Sequence, residues 1–161
     1  MGGHVIATKI DGSLRPLFKY HLPKIHWTPI ETGDTTSGVP DTNGCIGGVE
    51  FWVEFKQTST NKVNMRPGQI GWIHRRWRHG GRVWIAVRQR HNGGPRLGEP
   101  IDDLVMIYGG HVLELAENGL QLELSMISGR WRGGPRRWGW SGIQALLVGA
   151  NNEHIIYTDG P

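Results

Sequence analysis

The stretch that most constrains the fold is Glu50-Phe51-Trp52-Val53-Glu54-Phe55-Lys56. In a strand, successive side chains point to opposite faces, so Trp52, Glu54 and Lys56 share one face and Phe51, Val53 and Phe55 the other. The second face is wholly apolar and asks for a covering layer. The first carries a carboxylate and an ammonium two positions apart. Upstream, Gly38-Val39-Pro40-Asp41 sets a second carboxylate in a Gly/Pro turn. Asn43-Gly44 and Gly47-Gly48 read as hairpin-turn signals on either side of Cys45-Ile46, bringing Asp41 back toward the strand that holds Glu54 and Lys56.

A chain of 161 residues builds one ordinary domain. Eight Trp and 37% hydrophobic residues place it among folded proteins, because disordered chains lack the aromatic surface that offsets ordering entropy. Cys45 is the single cysteine, which rules out an intrachain disulfide and a cysteine-built zinc site and fits a reducing compartment. It reads as a small buried filler, with a nucleophile the alternative. No apolar run approaches the roughly 18 residues of a membrane helix. The start, MGGHVIATKIDG, lacks a basic-then-apolar signal pattern, and Ile6 stands where the context for acylation of Gly2 wants Ser or Thr. The expectation is a soluble, cytoplasmic protein with no membrane partner.

The net charge of +4 conceals its distribution. Residues 57–98 hold nine Lys or Arg and no Asp or Glu, while the remainder holds 9 basic against 14 acidic residues. A long block of one sign in an otherwise acidic chain is a candidate footprint for a polyanion, the alternative being a solvated basic face.

Leu14, Leu17, Phe18 and Leu22 fall on one face of a predicted helix over 14–22, with Ser13 as cap, Pro16 in its first turn and Pro23 as its stop. Lys24–Glu31 reads as an edge strand because of Pro29, residues 32–40 as an exposed loop, and residues 57–64 as a polar loop. Pro67 suits a first helical position, and Ile70, Ile73 and Trp77 mark an apolar stripe through 69–78 that Gly80-Gly81 ends. Val83–Val87 is continuously apolar, as a central strand should be, and strand, helix, strand order implies a parallel pair. Residues 89–100 read as a loop, 104–108 as a strand, and 112–116 as a short helix or strand. Arg130–Arg137 with Trp138 and Trp140 forms a second basic and aromatic cluster, either stacking on unpaired bases or covering the sheet. Ser141 is placed to cap a final helix over 142–148, followed by a polar tail.

Phosphodiester hydrolysis requires charge neutralised on phosphoryl oxygens and a water made nucleophilic, and a Mg²⁺ held by carboxylates does both. Asp41 and Glu54 are suitable hard ligands, the main-chain carbonyl of Phe55 points at the same locus, and Lys56 is placed to orient the water or stabilise developing charge. Lys62, Arg66, Arg75, Arg76, Arg78 and Arg82 are the candidate phosphate contacts. His74 and His79 read as assistants to those contacts, and Trp72 and Trp77 as core.

Pro40-Asp41 with Glu54-Phe55-Lys56 resembles the signature of the PD-(D/E)XK nuclease superfamily. The wider set, Ile30-Glu31-Thr32-Gly33, Gly38–Asp41, Trp52–Lys56, Pro67-Gly68-Gln69 and Gly80–Val83, looks like the small branch, often encoded by bacteriophages, that is related to VRR-NUC domains and Holliday-junction resolvases. The resemblance implies an α/β domain with a central mixed sheet flanked by helices, a nuclease core over 13–98, and a small C-terminal extension over 99–161 packed on it. It also implies dependence on Mg²⁺ or Mn²⁺ and cleavage of branched, flap or junction DNA, with a homodimer where two cuts are coordinated. Residue by residue, Asp41 and Glu54 become metal ligands, Lys56 the catalytic lysine, and Gln69 a glutamine near the site. Relatives often carry a further acid on the first helix, which residues 14–22 lack; Glu31 is the nearest replacement. Two other readings stand beside the endonuclease: a nucleic-acid-binding protein that keeps the fold without the chemistry, and a restriction-like nuclease whose recognition segment would have to lie in 100–161.

Overall fold

The computed structural model describes residues 13–31 and 38–149. Residues 1–12, most of the 32–40 loop and the polar tail lie outside them. Helix α1, Leu14–His21, buries Leu14 and Phe18 and ends where the Leu22 amide donates to the Phe18 carbonyl, one residue before Pro23. Strands β1 (His26–Pro29), β2 (Thr42–Ile46) and β3 (Val49–Thr58) follow, then helix α2 (Pro67–Arg78) and strand β4 (Val83–His91). Strand β5 (Ile101–Tyr108) leads through a 3-10 turn into helix α3 (Val112–Asn118), and strand β6 (Gly129–Trp131) precedes helix α4 (Trp140–Val148).

The six strands form one sheet in sequence order, with β3 and β4 parallel across the α2 crossover and every other pair antiparallel. This is an α/β domain with a central mixed sheet between helical layers. The alternation along β3 sorts the two cores. Phe51, Val53 and Phe55 lie with Trp84, Leu104 and Met106 under α1 and α4. Trp52 lies on the other face, with Ile85, Val87, Val105 and Ile107 under α2 and α3. Phe18 stands edge-on to Phe55 and Trp140, tying α1 and α4 to the sheet. Strand β4 is buried from Val83 to Gln89, as expected of a strand covered on both sides.

Several local expectations are corrected. Asn43-Gly44 is not a turn: it runs through the middle of β2, where Gly44 pairs with Trp27 on one side and Phe51 on the other. A Cβ on Gly44 would sit 2.4 Å from Cζ of Phe51, so this glycine leaves room for a ring rather than bending the chain. Strand β3 continues to Thr58 and β4 to His91, beyond the loop boundaries expected from their polar residues. Helix α4 begins at Trp140, with Gly139 rather than Ser141 at its N-cap, and Ser13 takes a positive φ with no side-chain cap bond. Strand β5 pairs with β4 along its whole length, so residues 101–108 belong to the central sheet.

Candidate active site

Thr42 pairs with Val53, so the same register sets Asp41 across from Glu54, on the sheet face that α2 covers. The turn before Asp41 is seated on the first turn of α2. Gly38 has φ 67°, and a Cβ there would fall 2.0 Å from the Gly68 carbonyl oxygen, so only glycine fits. The Asp41 amide donates to Glu54 Oε2 at 3.3 Å, and the Phe55 amide donates to Asp41 Oδ2 at 3.3 Å. An N–H and C=O of one strand residue point the same way, so the Phe55 carbonyl also faces Asp41, just past the start of β2. Two carboxylates and one main-chain carbonyl thus converge.

Gln69, buried on the first turn of α2, connects the polar groups. Its amide nitrogen donates to Glu54 Oε1 at 2.6 Å, and its oxygen accepts from Lys56 Nζ at 2.9 Å and from the Arg66 amide at 3.1 Å. Lys56 Nζ is also 3.3 Å from Glu54 Oε1. Pro67 at the first helical position has no amide to leave unsatisfied, and the helix N-terminus adds positive potential beside the acids. Glu54 is only 2% exposed, and its pKa is raised to about 7, chiefly by loss of hydration and then by the Asp41 charge, with Lys56 opposing both.

Asp41, Glu54, Lys56, Gln69 and the Phe55 carbonyl therefore meet in one place. Glu31 lies just beyond the end of β1 and is exposed; the residue before it, Ile30, donates its amide to the Asp41 carbonyl at 2.8 Å and so stands across from Asp41. Among the described residues no three acidic, histidine or cysteine side chains form a cluster able to hold a metal ion. The first helix contributes a cation instead: Arg15 Nη2 is 3.9 Å from Asp41 Oδ1. Sequence reasoning passed over Arg15, although it is the one charged residue in the first turn of α1.

The basic residues divide between two ends of α2. Lys62 and the exposed Arg66 lie at the end near Gln69. Arg75, Arg76 and Arg78 are exposed in the last turns, with Arg76 roughly 10 Å along the axis from Gln69. Arg76 stacks over Trp72 and Trp52, 5.6 and 5.9 Å from the ring centroids, beside an open cleft of about 340 Å³ also lined by Glu50, Gly81 and Arg82. Arg82 donates to the Gly149 carbonyl. A His79 ring nitrogen lies 2.8 Å from the Arg75 carbonyl, so this ring closes the helix end. Arg88 is not part of an open footprint: it pairs with both oxygens of Asp102 at 2.7 Å, and Arg130 reaches Asp103 at 3.1 Å. Cys45 is half-buried on β2 opposite Glu50.

No helix among the described residues is long and apolar enough to cross a membrane. No protein-family model matches the chain, and no curated protein is significantly similar to it. The functional reading accordingly rests on the geometry just described.

Proposed function

We propose that this chain is a metal-dependent endonuclease of the PD-(D/E)XK type that hydrolyses phosphodiester bonds in branched DNA. The observation that carries the reading is that the Asp41 and Glu54 carboxylates meet beside the buried Lys56 ammonium, with Gln69 bonding both Glu54 and Lys56. Asp41, Glu54 and the Phe55 carbonyl are the groups that would hold Mg²⁺ or Mn²⁺, all hard oxygen donors. The ion, when bound, supplies charge neutralisation on the phosphoryl oxygens and a more acidic water.

The chain's own residues do the rest. Gln69 holds Lys56 and Glu54 in fixed relation by bonding both, so the ammonium is oriented before substrate arrives. Lys56 donates to the attacking water or to the charge developing on the phosphoryl group. Lys62 and Arg66 lie at the mouth, and the exposed arginines of α2 extend positive charge along its axis by roughly 10 Å, about three phosphate spacings of a strand at roughly 3.4 Å each.

Purified protein with Mg²⁺ or Mn²⁺ is expected to cut synthetic flaps, forks or four-way junctions. Glu54→Gln and Lys56→Ala each should lower the rate by about 10²–10³-fold or more while leaving DNA binding in place. Variants that cut as fast as the parent would remove the site assignment. A DNA-binding protein without chemistry would instead show no cation site whose affinity falls in Asp41→Asn.

A further inference from the structure

The β4–β5 hairpin projects from the same end of the sheet as the carboxylate pair. Strands β3 and β4 are parallel, and Lys56 lies level with Val87, so the chain beyond Val87 runs outward past the site. Its tip is closed by three backbone bonds: Gly94 and Gly98 exchange amide-to-carbonyl bonds at 3.0 and 2.9 Å, and the Leu97 amide donates to the Gly94 carbonyl at 3.1 Å. Gly93, with φ 77°, lets the chain pass against Gly98 and Pro100, where a Cβ would lie 2.7 Å from a backbone oxygen. What this turn displays is Arg96 and Leu97, and Leu97 is 55% exposed, an aliphatic side chain with no core to join.

A second turn is fastened to the base of that hairpin. The Gly134 amide and the Trp138 indole both donate to the Asp102 carbonyl, at 2.8 and 3.2 Å, while the Asp102 carboxylate holds Arg88 and lies 3.9 Å from Arg90. Residues 90–101 and 132–137 together expose five arginines, Arg90, Arg96, Arg132, Arg136 and Arg137, against one exposed carboxylate, Glu99. A stiff turn that offers an aliphatic group flanked by arginines matches the chemistry by which proteins unstack base pairs: an apolar side chain enters the step and cations hold the adjoining phosphates.

We propose that the hairpin tip, Pro95-Arg96-Leu97, is a wedge that enters the branch point of DNA. Leu97 packs on the base pair that borders the branch, and the arginines of the hairpin and of the 132–137 turn grip the flanking backbone. The wedge rests on the endonuclease reading for its purpose, which is to set the cut at a fixed distance from the branch. Gly94 lies seven residues beyond Val87. The tip therefore reaches at most about 25 Å past the level of Lys56, or about seven base pairs at roughly 3.4 Å each.

The test uses the full chain and a three-strand flap carrying 2-aminopurine in the base pair next to the branch, in EDTA so that no cutting occurs. The parent should raise 2-aminopurine emission on the flap and not on a linear duplex of the same sequence. Leu97→Ala should abolish the rise and lower the preference for flap over duplex about tenfold, with duplex affinity unchanged. Leu97→Met should restore both. Arg96→Ala should weaken flap and duplex binding alike and reduce the salt slope by about one. Unchanged emission and preference in Leu97→Ala would overturn the wedge. A parent protein that raises the emission but never cuts the flap with Mg²⁺ contradicts the endonuclease reading alone.

Discussion

Two groups of acids and bases sit on this sheet, and they differ in how closely they are paired. Around Asp102 and Asp103 each carboxylate has its own arginine, with Arg88 bidentate on one and Arg130 on the other. Around Asp41 and Glu54, Lys56 lies 3.3 Å from the buried Glu54, and Arg15 reaches the half-buried Asp41 at 3.9 Å from a more exposed position. The first group holds β4, β5 and the 132–137 turn together. In the second, the buried Glu54 keeps a proton up to about pH 7 because burial and a like charge both oppose its ionisation. A buried carboxyl that ionises only at a cost marks a candidate site for a ligand that brings positive charge.

Breaking the Asp102 and Asp103 group should have the largest effect on stability. Asp102→Ala leaves the buried Arg88 without its bidentate partner, and a loss of about 3–4 kcal/mol in urea unfolding is expected, with the metal requirement of any surviving activity unchanged. A loss under about 1 kcal/mol would show that Asp102 is not the fastening point.

The Asp41 and Glu54 group should respond in the opposite direction. The folded-state pKa of Glu54 lies above its unfolded value of 4.5, so the native state binds more protons between that value and about 7. The metal-free protein therefore loses stability as pH rises through this window and levels off above it. Glu54→Gln removes that loss. In EDTA the variant should gain up to about 3 kcal/mol over the parent at pH 8, a difference that shrinks as pH falls toward 4.5. An advantage that does not vary between pH 5 and 8 would mean that Glu54 is not the titrating group.

The smallest of the three changes sharpens how the site is seated. Gly38→Ala meets both a positive φ and the Gly68 carbonyl, so a loss of about 1–3 kcal/mol is expected, together with weaker Mn²⁺ binding because Asp41 is displaced. Unchanged Mn²⁺ affinity would show that Asp41 is held independently of this turn.

Much of the site was legible because its signals are local. Glu54 and Lys56 share a face through the two-residue period of a strand, and the apolar Phe51, Val53 and Phe55 set say which face is which. Pro67 and the stripe at Ile70 and Ile73 mark the helix that carries Gln69. The errors came where a local signal has two meanings. Asn43-Gly44 is both a turn signal and, here, a place in a strand where the Phe51 ring needs space. Glu31 follows the residue that stands across from Asp41 and is exposed, a placement that only the cross-strand bond at Ile30 reveals. The acid-free block was a poor guide for Arg88, because antiparallel pairing with β5 brings it to Asp102, outside the block.

The sequence by itself therefore determined the alternation of β3, the parallel crossover from β3 to β4 through α2, and the presence of two carboxylates and a lysine within reach of one strand. Those follow from steric period and chain connectivity, which act over a few residues. Only the tertiary structure decided that Asp41 faces Glu54 in register, that Gln69 bonds both Glu54 and Lys56, and that Arg15 stands beside Asp41. It alone raised Glu54 to about 7, since desolvation and cross-strand charge arise only when distant segments pack together and exclude water.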